Sequence, residues 1–338
     1  AEPKETLATM KDLVRQGVIE YLDAAEEENT LVAYHEDLLT PEHTHLEITP
    51  YSMLGIITSL VPFGHNNQAA RLIIGSKNQK QALGVYTLNY HIRMDMDVNV
   101  LHYPQIPVVK TKTNDILQYE KHPAGQNIVL AIMCYDGYNM EDGVIINKSS
   151  IDRGFGRSTY YHPSSSEELR YSGGLTDQVG IPDKDVKGYR SERDYRFLEE
   201  DGLVYPEAKL KESDVLIGKT SPPRFLSSLD EYNLAAATRR ESSVAIKHGE
   251  SGIADFVLLT ENADGNKLIQ VRMREERIPE IGDKFTSRHG QKGVVGILIP
   301  EADLPFSTSG IIPDVIFTPH GIPSRMTVSH LIEMIGGK

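Results

Sequence analysis

The segment IGDKFTSRHGQKGVVGILIP, residues 281–300, combines charged residues with a high glycine content and ends in an apolar run. Two lysines, Lys284 and Lys292, lie eight positions apart in it among several glycines. From GILIP onward, short apolar runs alternate with proline-marked loops and end in a predicted helix. Lysine side chains are usually exposed and solvated, so a surface loop also explains this pair. The rest of the sequence has to distinguish a surface loop from a functional site.

The chain before this segment predicts β-structure. Two runs, IADFVLLTEN and KLIQVRMRE, flank the turn ADGN and predict a hairpin, because the returning strand alternates apolar and polar residues. Residues 158–250 are polar and rich in turn-forming residues, which is typical of a protruding domain. Within residues 101–135, YPQIPVV and NIVLAIMCY predict buried β-structure.

The first hundred residues mix short helices and strands. SMLGIITSLV, residues 52–61, predicts a buried helix, and NNQAARLIIGSKNQKQALG has helical spacing broken by glycines. In the first fifty residues, a short amphipathic helix, a strand VIEYLD, an acidic turn and a second strand TLVAYH predict an edge piece of something larger. Many short strands in irregular order favour a mixed α+β, β-rich fold with a barrel over a doubly wound sheet.

Composition is that of a globular protein of two or three domains, with 338 residues, 39% hydrophobic and 25% charged. No run approaches the length of a membrane span and no signal peptide is recognisable, so we expect a cytoplasmic protein.

Cys134 is the one cysteine, so no intrachain disulfide can form, and its apolar surroundings predict a small core residue. His43 and His45 lack a third ligand, and we expect no zinc site.

The net charge of −13 opposes a simple nucleic-acid-binding protein, whose domain would usually be basic. The charge is unevenly spread, however. Residues 1–50 hold 12 acidic and three basic side chains, a net of −9, so the other 288 residues carry 36 acidic and 32 basic side chains, a net of only −4. Cations can therefore still be concentrated in one groove.

Two glycine motifs that would indicate a nucleotide hydrolase fail on inspection. SDVLIGKT has Ser213 where a P-loop needs its first glycine, and GFGRST has Thr159 where a third glycine belongs. Neither motif predicts a phosphate site.

Other segments place charge in apolar or glycine-rich surroundings. Glu141 and Asp142 precede the apolar run GVIIN, so a strand that extends back to them would turn one carboxylate inward. The residues alone favour a polar turn there over a carboxylate pair that attends a magnesium-bound phosphate. An exposed position on the surface of a helix would explain Arg71 without a functional role. Arg325, after the proline-fixed loop TPHGIP, fits either a solvated helix start or a phosphate-binding one.

Four long strings together resemble the second-largest subunit of multisubunit DNA-directed RNA polymerase, in its archaeal and eukaryotic form. In chain order they are HNNQAARLIIGSKNQKQALG, YDGYNMEDGVIINKSSIDRG, GDKFTSRHGQKGVVG and PDVIFTPHGIPSRMTVSHLIE. The resemblance covers essentially the whole chain, and the strings are most similar to archaeal subunits.

The resemblance implies an internal portion of that subunit, either a fragment or part of a split subunit. Residues 1–54 would end an outer domain, and residues 55–157 would form the first part of a hybrid-binding domain. Residues 158–278 would be an inserted wall or flap domain, and residues 279–338 the second, truncated part of the hybrid-binding domain. A double-psi β-barrel is implied within the hybrid-binding domain.

Carried over by motif, the resemblance implies roles in RNA synthesis for individual residues. Lys284 and Lys292 would contact phosphates near the RNA 3′ end and the incoming nucleotide, with Gln81 as a further RNA or nucleotide contact. Arg71 and Arg325 would hold the nucleoside triphosphate, since the planar guanidinium matches phosphate oxygens.

The resemblance also implies metals and partners. Glu141 and Asp142 would face a second Mg²⁺ that the nucleotide carries, directly or through water, while aspartates of the largest subunit would hold the main catalytic Mg²⁺. That aspartate motif does not occur in this chain. The chain would therefore be inactive alone, and would act near the nucleoid with the largest and other polymerase subunits, the DNA template, the RNA transcript and nucleoside triphosphates.

Two other functions stay open at this point. One is a non-catalytic nucleic-acid-binding or assembly module, and the other is a free-standing phosphotransferase. The adjacent carboxylates of Glu141 and Asp142 favour the polymerase site over plain binding, because carboxylates oppose nucleic acid unless a cation intervenes. The absence of the metal-binding aspartates opposes a free-standing enzyme.

Overall fold

A computed structural model describes residues 9–49, 54–171, 174–223 and 239–338. It divides into two compact units, Ala1–Ser59 and Leu60–Lys338. The helices of the described residues are α1 (Met10–Arg15), α2 (Ala24–Glu27), α3 (Ala69–Lys80), α4 (Lys112–Ile116), α5 (Lys148–Asp152), α6 (Gly321–Arg325) and α7 (Val328–Gly337). None of these helices combines the length and the hydrophobicity needed to cross a bilayer.

Most strands of the described residues are short, but three have ten or eleven residues. The strands are β1 (Val32–Ala33), β2 (His45–Leu46), β3 (Val98–Leu101), β4 (Leu130–Ile132), β5 (Gly143–Asn147), β6 (Ser158–Glu167), β7 (Gln178–Val179), β8 (Lys209–Leu210), β9 (Val215–Ile217), β10 (Lys219–Ser221), β11 (Arg240–Glu241), β12 (Val244–Ala245), β13 (Gly252–Glu261), β14 (Lys267–Arg277), β15 (Lys284–Thr286), β16 (Lys292–Ile299) and β17 (Val315–Phe317). The predicted β-rich class is confirmed at this level.

The first unit contains one of its two predicted strands. A capping box between Thr9 and Asp12 begins α1, and β1 pairs in parallel with β2. The predicted strand VIEYLD is wrong, because residues 18–23 form no strand. The backbone N–H groups of Val18 and Ile19 both donate to the carbonyl of Leu13, so they close the end of α1 instead of joining a sheet.

The second unit contains a mixed five-stranded sheet that includes the opening segment. Its strand order is β15-β16-β5-β17-β4. β16 runs parallel to β5, whereas β17 is antiparallel to β5 and parallel to β4. A core lies on each face, formed by Val144, Ile146, Val295 and Phe317 on one and by Ile145, Ile299 and Ile316 on the other. Burial on both faces explains why β5 reads as a continuous apolar run rather than an alternating one.

A second five-stranded sheet in this unit has the order β3-β6-β14-β13-β8 and is antiparallel throughout. Its central hairpin, β13 and β14, confirms the hairpin predicted from IADFVLLTEN and KLIQVRMRE. In the turn, the side-chain oxygen of Asn262 accepts hydrogen bonds from the backbone of Asp264 and Asn266. Its core includes the buried residues Leu216, Ile217, Ile269 and Val271. Two smaller antiparallel sheets, β11-β10-β7 and β12-β9, accompany it.

The predicted helix at residues 52–61 is wrong over its described part. Residues 52 and 53 lie outside the described residues, and the rest holds only a 3₁₀ turn at Thr58–Leu60. A helix here would place Gly55 in its interior and would meet Pro62 directly after its end, and both residues oppose it.

Two further predictions for residues 101–135 need correction. YPQIPVV forms no strand, because its two prolines lack N–H groups and the side chain of Asn127 bonds to the backbone of Val108 and Ile106 instead. NIVLAIMCY is a strand only over β4, Leu130–Ile132. Cys134 is exposed rather than in the core, because its neighbours Met133 and Tyr135 pack against the core and the side chain between them points away from it.

Candidate functional site

The two lysines of the opening segment lie on one face of a hairpin. β15 and β16 are antiparallel, with Lys284 opposite Val294 and Thr286 opposite Lys292. Opposite residues of an antiparallel pair share a face, as do alternate residues of one strand. Lys284 and Lys292 are therefore diagonal neighbours on one face, and all four of these side chains are exposed. In the part of the chain that the structure describes, neither lysine side chain has a hydrogen-bond or ion-pair partner.

The opposite face of the hairpin is fixed to the core. The ring of Phe285 stacks on that of Phe155, with centroids 5.5 Å apart, and Val295 is fully buried. A Cβ at Gly293 would lie 2.8 Å from the Asp142 carbonyl oxygen, so this strand approaches β5 too closely for a side chain. The hairpin therefore presents its lysines from a rigid base.

The loop between the two hairpin strands lies against α3. A Cβ at Gly75 would lie 2.7 Å from the Arg288 carbonyl oxygen, and a Cβ at Gly290 would lie 2.7 Å from the Arg71 carbonyl oxygen. Gly290 also has a φ of +74°, which glycine adopts without strain. Close backbone contact at both positions sets Arg71 directly over the loop, where its Nη1 donates to the Gly290 carbonyl at 3.4 Å.

Arg71, Arg325 and Asp142 form a charged cluster beside the hairpin. Arg325 Nη2 makes an ion pair with Asp142 Oδ2, and the Arg325 side chain is 13% exposed against 45% for Asp142. Burial lowers the pKa of Arg71, the nearby charge of Arg325 lowers it further, and Asp142 acts in the opposite direction. The cluster therefore holds two guanidinium groups against one carboxylate, and an added anion would be stabilised there.

Glu141 and Asp142 lie on a turn that precedes β5. Both have left-handed φ angles, 49° and 70°, and the strand does not extend back to them. The polar turn that the residues alone favoured is therefore the structure observed. The Asp142 carbonyl accepts a hydrogen bond of 3.0 Å from the backbone N–H of Val294, which joins this turn to the lysine hairpin.

These two carboxylates do not make a resident metal site by themselves. Among the described residues no group of three or more His, Cys, Asp or Glu side chains is placed to hold a metal ion. Asp142 is paired with Arg325, while Glu141 is exposed and has no partner in the described ranges. Carboxylate oxygens do suit Mg²⁺, so the pair fits an ion that arrives with other ligands of its own.

The structure brings most of the predicted site residues together, with one exception. Lys284, Lys292, Asp142, Glu141, Arg71 and Arg325 lie on the hairpin or on the elements that contact it. Gln81 is exposed at the C-cap of α3, ten residues beyond Arg71 or about 15 Å along the helix axis. No contact in the described residues joins the Gln81 side chain to this cluster.

Gln291 is a site residue that was not predicted from the sequence. It is only 3% exposed, and its Oε1 accepts a hydrogen bond of 2.7 Å from Arg325 Nη1. The sequence around Gln291 contains a pattern from which its burial could have been predicted. Lys292 and Val294 alternate with Gln291 and Gly293 along the chain, so an outward lysine implies an inward amide, and a buried amide needs partners.

A buried polar cluster connects the loop to the C-terminal helix, and it too was not predicted. His289 is completely buried, its Nε2 hydrogen-bonds to the Glu333 carboxylate, and Arg288 Nη2 donates to the second oxygen of that carboxylate at 2.5 Å. The His330 ring stacks on His289 with centroids 5.2 Å apart.

Burial lowers the pKa of His330 to about 4, and the neighbouring His289 contributes. Burial opposes ionisation of Glu333, but the hydrogen bond from His289 and the charge of Arg288 outweigh it and lower the pKa of Glu333 to about 2.

Comparison with known proteins identifies the family. Residues 57–338 match the model described as RNA polymerase Rpb2, domain 6, and residues 10–50 match RNA polymerase Rpb2, domain 5. The chain is 53% identical over 330 residues to DNA-directed RNA polymerase subunit Rpo2 of Sulfolobus acidocaldarius, covering 98% of this chain and 29% of that protein. It is 44% identical over 339 residues to DNA-directed RNA polymerase II subunit 2 of Arabidopsis thaliana, covering 96% and 28% respectively.

A third relative is a subunit of RNA polymerase III. The chain is 40% identical over 338 residues to DNA-directed RNA polymerase III subunit RPC2 of Schizosaccharomyces pombe, covering 99% of this chain and 29% of that protein. The chain thus spans less than a third of the length of these three relatives. The resemblance seen in the four sequence strings is confirmed, and the chain belongs to the Rpb2 family of second-largest RNA polymerase subunits.

Proposed function

We propose that this chain forms part of the active centre of a DNA-directed RNA polymerase, where it contacts the RNA 3′ end and the incoming nucleoside triphosphate. One observation carries the proposal: Lys284 and Lys292, whose side chains have no partner among the described residues, share an exposed hairpin face beside the cluster of Arg71, Arg325 and Asp142. The family and the names of its relatives support it, since those relatives are DNA-directed RNA polymerase subunits.

The reaction explains why cations are needed. In nucleotide addition the RNA 3′ oxygen bonds to the α-phosphorus, and the bond from that phosphorus to the pyrophosphate leaving group breaks. Negative charge on the phosphate oxygens must be stabilised by fixed positive groups. Lys284 and Lys292 supply point charges for these phosphates, and both ammonium groups are available because neither has a partner within the described ranges.

The two arginines suit the triphosphate. Arg325 already holds one carboxylate, so a phosphate oxygen of similar charge can take the place of Asp142 on Nη2. Arg71 stands close enough to Arg325 for the charge of Arg325 to lower the pKa of Arg71, so Arg71 can contact the same triphosphate. Gln81, at the far end of α3, would contact RNA farther from the reacting phosphates.

A magnesium ion that arrives with the triphosphate would neutralise part of the phosphate charge. Glu141 and Asp142 would offer it carboxylate oxygens, directly or through water. Asp142 becomes free for this contact when the triphosphate replaces it on Arg325.

The proposal extends to the domain layout and the partners that the family resemblance implies. Residues 1–54 would end an outer domain, residues 158–278 would form an inserted wall or flap domain, and residues 55–157 and 279–338 would form a hybrid-binding domain with a double-psi β-barrel. The largest subunit would hold the main catalytic magnesium. Other polymerase subunits, the DNA template and the RNA transcript complete the set of partners.

Photocrosslinking tests the proposed contact. An assembled polymerase that contains this chain is stalled on a DNA template with a photoreactive 4-thiouridine at the RNA 3′ end. We expect adducts in the hairpin, residues 281–294, and fewer when the 4-thiouridine is moved to the RNA 5′ end. Adducts confined to other segments, with none in the hairpin, would remove Lys284 and Lys292 from the reacting end.

The alternative of a non-catalytic binding module rests on the same cations. It is disfavoured because Asp142 and Glu141 lie among them, and a site for nucleic acid alone gains nothing from carboxylates. A binding module predicts that substitutions at Lys284 and Lys292 change affinity for nucleic acid but leave the rate of nucleotide addition unchanged.

A further inference from the structure

The guanidinium of Arg325 is held on two sides by unlike partners. Nη2 faces the carboxylate of Asp142, whose side chain is 45% exposed, and Nη1 donates to Oε1 of Gln291, which is 3% exposed. The first partner is charged and open to solvent, so another anion can displace it. The second is neutral and buried, and nothing from solution competes for its place.

Gln291 is itself fixed by hydrogen bonds at the other end of its amide. Its Nε2 donates to the Gly321 carbonyl at 2.9 Å and to the hydroxyl of Thr327, which is fully buried. The Gly321 carbonyl can only accept and Arg325 can only donate, so the amide has one orientation that satisfies both. The carbonyl end of Gln291 is therefore locked toward Arg325.

We infer that Gln291 is a positioning residue, which holds the Arg325 guanidinium in place while its other edge exchanges Asp142 for the triphosphate. This inference rests on the proposed role of Arg325 in triphosphate binding. A neutral amide suits the task because a carboxylate in the same buried position would neutralise Arg325 and weaken its attraction for phosphate. Without Gln291, Arg325 would have Asp142 as its remaining side-chain partner in the described residues and would lose its fixed position once the triphosphate displaced that carboxylate.

The test measures single-nucleotide addition by the assembled polymerase on a preformed RNA and DNA scaffold. Gln291→Leu removes the acceptor at nearly constant volume, and we expect the KM for the nucleoside triphosphate to rise about tenfold with a much smaller change in kcat. Gln291→Asn keeps a buried amide but withdraws it from Arg325 by one methylene, and it should raise KM as well. Gln178→Leu, which changes an exposed glutamine on β7, serves as the matched control.

A double variant separates positioning from a merely structural role. If Gln291 acts through Arg325, adding Gln291→Leu to Arg325→Ala should raise KM little beyond the effect of Arg325→Ala alone. Unchanged KM in either assembled Gln291 variant, or full additivity in the double variant, would overturn the inference. An unchanged KM in Arg325→Ala itself would instead overturn the proposed role of that arginine, so the two failures are distinguishable.

Discussion

We propose different tasks for lysine and arginine at this site because their cationic groups differ in shape. The ammonium of Lys284 or Lys292 is a compact charge on a flexible stem, which suits phosphates that move during the reaction. The guanidinium of Arg325 is planar and is held by Gln291 on one side, which suits a triphosphate bound in a fixed orientation.

The arginine assignments predict a change in nucleotide dependence. Arg325→Ala removes a charge-assisted contact with the triphosphate and should raise the nucleotide concentration needed for half-maximal rate, at a cost of roughly 1.5 to 3 kcal/mol. Arg71→Ala should act in the same direction. Elongation rates of the assembled enzyme measured across nucleotide concentrations check both variants, and an unchanged dependence in both would show that neither arginine holds the triphosphate.

At the scale of elements, the contact between α3 and the hairpin loop depends on the absence of side chains. Gly75→Ala would bring a methyl group within 2.7 Å of the Arg288 carbonyl oxygen, so α3 or the loop has to move. We expect the chain to lose about 1 to 3 kcal/mol of unfolding free energy, as for an overpacked core. Thermal or denaturant unfolding measures this loss.

Gly336→Ala is the matched control for that substitution. Gly336 also lies in a helix, α7, but its added Cβ would meet Val109 at 3.8 Å, an ordinary contact. Alanine is the better helix former, so this variant should be as stable as the original chain or slightly more stable. Equal stability of the two variants would contradict the close approach at Gly75.

The buried face of α7 predicts a pH dependence of stability. The pKa of His330 falls from 6.5 to about 4 in the folded chain, so the unfolded chain binds more protons between these values. The contribution of His330 to the free energy of unfolding therefore has its full value above pH 6.5. It decreases as the pH falls toward 4, by about 3 kcal/mol in total. The lowered pKa of Glu333, about 2 against 4.5, extends the loss to still lower pH with the same sign.

Unfolding free energies of the chain measured from pH 7 to pH 4 check this dependence. His330→Phe keeps a ring against His289 but does not titrate, so its stability should change less over this interval. A wild-type stability that stays constant from pH 7 to pH 4, or the same slope in His330→Phe, would show that His330 does not govern the dependence.

The elements differ in how well the sequence predicted them, for a physical reason. The β13–β14 hairpin and α3 follow from local alternation and helical spacing, so they were predicted correctly. A helix such as α7 would usually turn an apolar face toward the core. Instead, Ser329, His330 and Glu333 pack against the loop of the lysine hairpin. The apolar side chains of Val328 and Ile335 are exposed. Such long-range polar pairing leaves no local pattern.

The candidate site residues also divide into those that a sequence pattern predicts and those that depend on long-range pairing. Lys284 and Lys292 were predicted because they stand in a long recognisable string, and their shared face follows from strand alternation. The ion pair of Arg325 with Asp142 joins residues 183 positions apart. The parallel and antiparallel pairings of the mixed sheet bring those two segments near each other, and sequence spacing gives no measure of such pairings.

At the scale of the whole molecule, this chain supplies cations and two carboxylates but no group of three metal-binding side chains in its described parts. On the proposed function, in which the largest subunit would hold the main catalytic magnesium, we expect the rigorously purified chain to make no RNA. Incubation with template, primer, magnesium and labelled nucleotides checks this expectation. Template-dependent incorporation by the chain alone would contradict it.

The most direct measurement is single-nucleotide addition on a preformed RNA and DNA scaffold by assembled polymerase that carries Lys284→Ala together with Lys292→Ala. Both side chains are exposed and unpaired within the described residues, so their loss should leave assembly intact. The double alanine variant should add nucleotides more slowly at saturating nucleotide, and double arginine should restore little, because the guanidinium is larger and differently directed. Full wild-type rates in the double alanine variant would contradict a role for this hairpin in the reaction.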